Sequence, residues 1–388
     1  MNNPFPFSLY TNSTPIHKSI VVDSEPEEAL DFGHVPSHIP IFKKIQFSEH
    51  PVHGFPEQLS NLILRNVPRH AVSFNAKPED LPKTKIKPGL YTHPHTMRIW
   101  VVKMGMHRKP DAYFRSRGGD ESHNMEQGAS TRLEHVLDRM YRLLGVPVPR
   151  SQLYSEKTGT PVPLDHKWEK EDNPLRVSEF LGDDAYHLFD IARIIRGRDK
   201  DHQLFPLLNN PVDSFAEAKK ETRKHAIIDA FLGARDVHDQ NVMFTPHSPA
   251  AWRIDNGCGM HCNGFGRYRT PVRWAKMTVV QNVLPDIRKI WTEVYHPSPT
   301  QHSGVVYHGI NGKEILDQSQ DLVNKWKKMS DPIIHIVKTA PRGHDQIPVL
   351  ENRIDILKQM LNMFNPEQLE KELHRPIEWD TGKPLKHR

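Results

Sequence analysis

A chain of 388 residues, 37% of them hydrophobic, can bury a sizeable core as one large domain or two ordinary ones. Its two cysteines, Cys258 and Cys262, exclude a disulfide scaffold and fit a reducing, cytoplasmic compartment; with a mean hydropathy of -0.64 and no apolar run near the roughly 20 residues a bilayer demands, no transmembrane segment is expected. Fifty-two basic residues against 47 acidic ones leave a net charge of +5, too balanced for a nucleic-acid coat, so no nucleic-acid partner is expected and anion binding has to come from local clusters.

Residues 1–85 are rich in Pro, Ser and His with weak periodicity, and read as an N-terminal extension carrying short elements. Its first residues show no basic patch followed by an apolar stretch, so no secretory signal is expected. From Met97 to Lys103 the pattern becomes strand-like, with Met97, Ile99, Val101 and Lys103 on one face. After a connection around Gly118-Gly119, a helix is predicted from about Ser130 to Leu144. Leu133, Leu137, Met140, Tyr141 and Leu144 form its apolar side, and Gly145 stops it.

Strands are predicted at Gln152–Tyr154 and Leu175–Leu181. A second long helix is predicted from Ser214, where Ser214 and Glu217 form a capping pattern, to Gly233. Short strands follow at Val242–Phe244 and Trp252–Asp255. Beyond residue 275 the signals are helical, as in Val349–Phe364. Strands with one helix, then mostly helices, imply an α+β protein of two lobes. The predicted divisions are the extension 1–85, a first lobe 86–181, and a second lobe 182–388 with extra C-terminal helices.

The most informative stretch runs from Ile227 to Asn241 and leads into a strand, with Asp255 at the end of the next one. Asp236 is followed five residues later by Asn241, which offers a base and a metal ligand from one loop. Asp255, in Ile254-Asp255-Asn256-Gly257, offers a second metal ligand. Phosphoryl transfer needs this set: a carboxylate near the attacking hydroxyl and oxygen ligands for the Mg²⁺ that bridges the phosphates. Each motif alone is commonly a turn; in order, with a strand–turn–strand unit between them, they point to chemistry.

These residues resemble the protein-kinase-like superfamily, where the loop reads D-x-x-x-x-N and the metal motif D-x-G. The atypical branch is the nearest likeness: type II phosphatidylinositol 4-kinases, HipA-like kinases and actin-fragmin-type kinases. Type II lipid kinases share Asp229, seven residues before Asp236, and the run Ile-Asp-Asn-Gly. The Asp236-x-His238-x-x-Asn241 spacing also resembles aminoglycoside and choline kinases. The resemblance spans roughly residues 97–260 and implies a two-lobed kinase-like fold that binds ATP with Mg²⁺ or Mn²⁺. It implies further that Lys103 holds the phosphates and that Glu134 holds Lys103, with Glu126 as a second candidate. Glu134 precedes Leu144-Gly145-Val146-Pro147-Val148-Pro149, similar to the L-G-x-x-V-P signature that follows the corresponding glutamate in HipA-like kinases. Arg176–Gly182 resembles the strand joining the lobes, whose backbone at Glu179, Phe180 and Leu181 would meet adenine. Two departures stand out: no G-x-G-x-x-G loop precedes Lys103, and Ala234-Arg235 replaces His-Arg before Asp236.

The expected activity is that of an atypical protein Ser/Thr kinase, with room for a bacterial effector acting in a host cytosol. The alternatives are a phosphoinositide or small-alcohol kinase, and a nucleotide-binding pseudokinase serving as an interaction module. Cys258, His261 and Cys262 offer three zinc ligands and no fourth, so a small-residue segment is the plainer reading. Basic residues gather at Arg193, Arg196, Arg198 and Lys200, at Lys219, Lys220, Arg223 and Lys224, and at Arg267, Arg269 and Arg273. Such runs are usually solvated; where two converge they would bind a polyanion such as an inositol polyphosphate.

Overall fold

A computed structural model describes residues 54–66, 86, 88–104, 129–169, 172–195, 211–234, 237, 240–245, 248–256, 260, 310–341, 343–374, 377–378 and 383–384. The chain divides into units Met1–Ile45 and Gln46–Arg388, and every described residue belongs to the second. The architecture is mixed α/β: a five-stranded antiparallel sheet and several helices.

The sheet is built from β1 (Ile63–Asn66), β2 (Gly89–Thr92), β3 (Ile99–Met104), β4 (Ser151–Ser155) and β5 (Pro174–Glu179), in the order β1-β2-β3-β5-β4. Alternation along these strands sorts the side chains into two faces. Trp100, Val102 and Met104 of β3 and Leu175 and Val177 of β5 turn to one side, where they pack with Leu59, Leu62, Tyr91 and Tyr154. Lys103, Arg176 and Ser178 therefore turn to the other. The sequence groups Met97 with Ile99, Val101 and Lys103, but Met97 is exposed and left-handed, with φ 57. It sits in the turn that feeds β3, donating its N–H to the His93 carbonyl. The tightly buried face of β3 is the opposite one. The extension also proves to hold part of this sheet: Leu59 and Leu62 enter its core and β1 pairs with β2.

Helix α1 (Ala129–Leu143) lies where the sequence predicts it. Leu133, Leu137, Met140, Tyr141 and Leu144 are all buried in the larger of two apolar clusters. The helix ends in a Schellman turn. Val146 donates to the Tyr141 carbonyl and Gly145 to that of Arg142, with Gly145 at φ 80. Lys325 then donates to the Leu144 carbonyl at 2.6 Å, putting a cation at the negative helix end.

The rest of that cluster comes from β6 (Tyr186–His187), α2 (Leu188–Ile195), α3 (Pro211–Arg223), α4 (Ala226–Phe231), β7 (Val242–Thr245), β8 (Ser248–Arg253), α5 (Gly312–Lys338), α6 (Gly343–Met363) and α7 (Pro366–His374). The single helix predicted over 214–233 is two. Proline is favoured in the first turn of a helix, so α3 starts at Pro211 and Ser214 falls inside it. A break at Lys224-His225 separates it from α4. Gly233, at φ 63, closes the second piece. Asn311 and Glu314 cap α5 reciprocally. A last pair, β9 (Ile377–Glu378) and β10 (Lys383–Pro384), forms a two-stranded ribbon. No helix among the described residues is long and apolar enough to cross a membrane.

One fully buried ion pair ties these pieces together. Arg253, at the end of β8, donates to Asp229 of α4 at 2.9 Å and to the Thr222 carbonyl at 2.7 Å. Tyr141 of α1 donates to the same carboxylate at 2.7 Å. Removing one partner strands the other as a buried charge, so Asp229→Ala is expected to cost about 3–5 kcal/mol in chemical denaturation; a cost under about 1 kcal/mol would show that the pair does not hold the fold. The cluster is also acid-sensitive. Burial, then Arg253, Lys325 and Lys224, push the His225 pKa down to about 3. The unfolded chain therefore takes up that proton first, and stability falls as pH drops from 6.5 toward 3, by up to about 1.4 kcal/mol per pH unit. His225→Gln should flatten that slope.

Candidate active site

The residues that motif spacing singles out come from distant parts of the chain, and the fold brings three of them into contact. Lys103 on β3 donates to Glu134 Oε1 on α1 at 3.0 Å and to Asp255 Oδ1, just beyond β8, at 3.1 Å. Burial opposes a charged Lys103, but Asp255 and Glu134 more than offset it and its pKa is raised. Glu134 is buried, which raises its pKa, while Arg176 and Lys103 pull it back down.

Asn241 joins them. It precedes β7, is buried, and accepts the Ile254 N–H on its carbonyl at 3.1 Å, which sets it beside the approach to Asp255. Asn241, Asp255 and Asn256 line one concavity with Ala234, Val237, Arg253 and Ile254. Asp255 takes φ 55, a left-handed conformation that Asp tolerates better than most residues, and its side chain is 45% exposed. A half-exposed carboxylate beside an amide suits Mg²⁺, which takes one or two protein oxygens and keeps water or phosphate for the rest. Among the described residues, no group of three or more His, Cys, Asp or Glu forms a metal cage of the closed kind. Asp236, Glu126 and the Cys258, His261 and Cys262 group lie outside the described residues.

The strand predicted through Leu181 ends at Glu179. The Glu179 side chain is taken by Arg150, which donates from Nε at 2.8 Å and from its backbone N–H at 3.1 Å. The N–H of Glu179 goes to the Arg150 carbonyl and that of Phe180 to the Ile99 carbonyl.

Of the basic clusters, Arg196, Arg198 and the third group lie outside the described residues. In the second group, carboxylates stand beside the cations. Lys220 lies 3.7 Å from Glu217, Lys224 pairs with Glu221, and Arg223 donates to Glu314 at 3.0 Å. Burial, then Arg223, lower the Lys219 pKa.

Sequence reasoning passed over a buried polar layer behind Lys103. Arg176 on β5 is the direct cross-strand partner of Lys103 and lies 3.2 Å from the same Glu134 oxygen. Its Nε donates to Asp138 at 2.8 Å, as does Ser151 Oγ at 2.7 Å. His135 shares the Ser151 hydroxyl at 2.9 Å; burial, then Arg139 and Arg176, hold its pKa well below the usual range. Asp138 was legible as the residue one helical turn beyond Glu134 on the same face.

No family model matches the chain, and no curated protein does. Among solved structures, a proinflammatory kinase, CtkA, of Helicobacter pylori is similar at TM-score 0.38 and 14% identity, covering 74% of this chain and 96% of that one. The FAT and kinase domain of CtTel1 is similar at TM-score 0.29 and 10% identity, covering 74% of this chain; this chain spans only 21% of that structure. At TM-scores below 0.5 the functional reading rests on the residues themselves.

Lys103 neutralises two carboxylates, so its removal has a pH signature. A buried Glu134 with a raised pKa makes the folded state bind its proton more tightly than the unfolded one, and stability falls as pH rises from 4.5 through the folded pKa. Lys103→Ala takes away one of the cations that oppose that rise. The variant should lose more melting temperature at pH 8 than at pH 5; an equal loss at both would show that Glu134 does not depend on Lys103.

Proposed function

We propose that this chain is an ATP-dependent phosphotransferase, carried by one observation: Lys103 bridges Glu134 and Asp255, residues of a strand, a helix and a loop that meet in the order a kinase-like site requires. On this reading the five-stranded sheet with α1 is the first lobe and the helical assembly is the second. Lys103 holds the α- and β-phosphates, and Glu134 keeps its ammonium aimed at them. Asp255 and Asn241 hold Mg²⁺ or Mn²⁺. When bound, the metal neutralises charge on the phosphates.

The acceptor hydroxyl attacks the γ-phosphorus; a new O–P bond forms, the bond to the β-bridging oxygen breaks, and ADP leaves. Asp236 takes the hydroxyl proton. We assign protein Ser/Thr as the acceptor, with a phosphoinositide or a small alcohol as the alternative. A polyanion regulator at α3 would have to displace Glu217, Glu221 and Glu314 from the cations they face.

The test is transfer of labelled phosphate from ATP, with Mg²⁺ or Mn²⁺, across protein, phosphoinositide and small-alcohol acceptors. Asp236→Ala should abolish transfer and leave nucleotide binding largely intact, because the base does not hold ATP. Asp255→Ala should weaken Mg²⁺-ATP binding itself. Full activity in both variants would remove these roles. Nucleotide-dependent thermal stabilisation without transfer to any acceptor would make the chain an interaction module instead.

A further inference from the structure

We infer that Asp138, Arg176 and Asn256 form a positioning device that sets where the Asp255 carboxylate stands, and couples it to the helix that carries Glu134. The inference deepens the phosphotransferase reading and rests on it for its functional meaning. Its geometry stands apart from that reading.

Asn256 follows Asp255 directly. Its side-chain Nδ2 donates to Asp138 Oδ1 at 2.9 Å, the only sense in which an amide and a carboxylate can pair. Both ends are buried, Asn256 at 7% exposure and Asp138 at 1%. The other oxygen of Asp138 is saturated by Arg176, from Nε and Nη2, and by Ser151. Asp138 therefore cannot turn toward a different partner without stranding a buried guanidinium.

Arg176 in turn touches Glu134, so one buried cation fixes both acids of α1. The result is a closed circuit: Lys103, Glu134, Arg176, Asp138, Asn256, Asp255 and back to Lys103. A shift of α1 moves Glu134 off Lys103 and pulls Asn256, and Asp255 with it, in the same motion. The circuit has no apolar link, so each step has a direction and a fixed length that packing alone does not give.

Asn256→Ala cuts the circuit at its weakest point for folding. Asp138 keeps Arg176 and Ser151, so no charge is stranded. Arg176→Lys keeps the cation and loses the two-pronged contact with Asp138. The readout is the rate at which Lys103 is reductively methylated in the nucleotide-free full chain, quantified by mass spectrometry well below the melting temperature.

In the wild type, Lys103 is held by two carboxylates and should react slowly. Releasing Asp255 removes one of them, and labelling should rise about tenfold in Asn256→Ala. Arg176→Lys should raise it to a smaller degree. A merely structural role would lower the melting temperature and leave the labelling rate where it was, and that result overturns the inference. Protection of wild-type Lys103 by Mg²⁺-ATP is a separate arm. If labelling rises in Asn256→Ala but Mg²⁺-ATP gives no protection, the coupling stands and the phosphotransferase reading fails.

Discussion

Lys103 and Arg176 are directly opposed on neighbouring strands and turn to the same face of the sheet. Two like charges in that relation repel unless something stands between them. Here Glu134 does so, accepting from Lys103 and lying 3.2 Å from Arg176 with the same oxygen. Asp138, one turn along α1, takes the rest of the guanidinium. The docking of α1 on the sheet is thus a charge arrangement, while its other side packs in the helical core, with the Tyr141 hydroxyl on Asp229. Burying this many charges adds little net stability, because desolvation offsets most of the attraction. What the arrangement contributes is registry: α1 has one position along the sheet in which four charged groups are all satisfied.

The same logic fixes the segment that carries Asp255. On one side, Arg253 is anchored through its side chain to Asp229 and through its N–H to the Pro147 carbonyl. On the other, Asn256 is anchored to Asp138. The residue between them is held in a left-handed conformation, which persists only where the surroundings over-determine it. Both anchors lead back to α1, one through Asp138 and one through Tyr141, which donates to Asp229. The half-exposed carboxylate that meets Lys103 is therefore carried by a residue anchored on both sides.

Much of this frame was legible in the sequence because apolar spacing is a strong signal. The helix α1 and its stop at Gly145 follow from Leu133, Leu137, Met140, Tyr141 and Leu144, and β4, β5 and β7 lie close to the expected strands; the strand expected at Trp252–Asp255 instead runs Ser248–Arg253, and Asp255 falls beyond it with φ 55. The start of α3 was misplaced because Ser214 and Glu217 satisfy a capping pattern inside a helix that Pro211 already begins. The polar layer was passed over for a deeper reason. Alternation in a strand reads a polar residue as facing water, and Arg176, Ser178 and Ser151 alternate as solvent-facing residues would. Only the arrival of Glu134 and Asp138 from another element makes that face an interior. Lys103 and Glu134 were found through motif order, not through any local property that marks them as buried.

On the phosphotransferase reading, the contact between Lys103 and Asp255 bears on how nucleotide enters. Lys103 has two acidic partners of different character. Glu134 is buried and shares its oxygen with Arg176; Asp255 is 45% exposed and belongs to the lining of the concavity. A phosphate oxygen approaching Lys103 competes with Asp255 far more easily than with Glu134, since displacing Glu134 would also disturb Arg176 and Asp138. The exchange would replace one anion at the ammonium with another and leave the Asp255 carboxylate, with Asn241, as the oxygens that would hold a divalent cation. Arg253 and Asn256, anchored on either side of Asp255, would confine such an exchange to the Asp255 side chain.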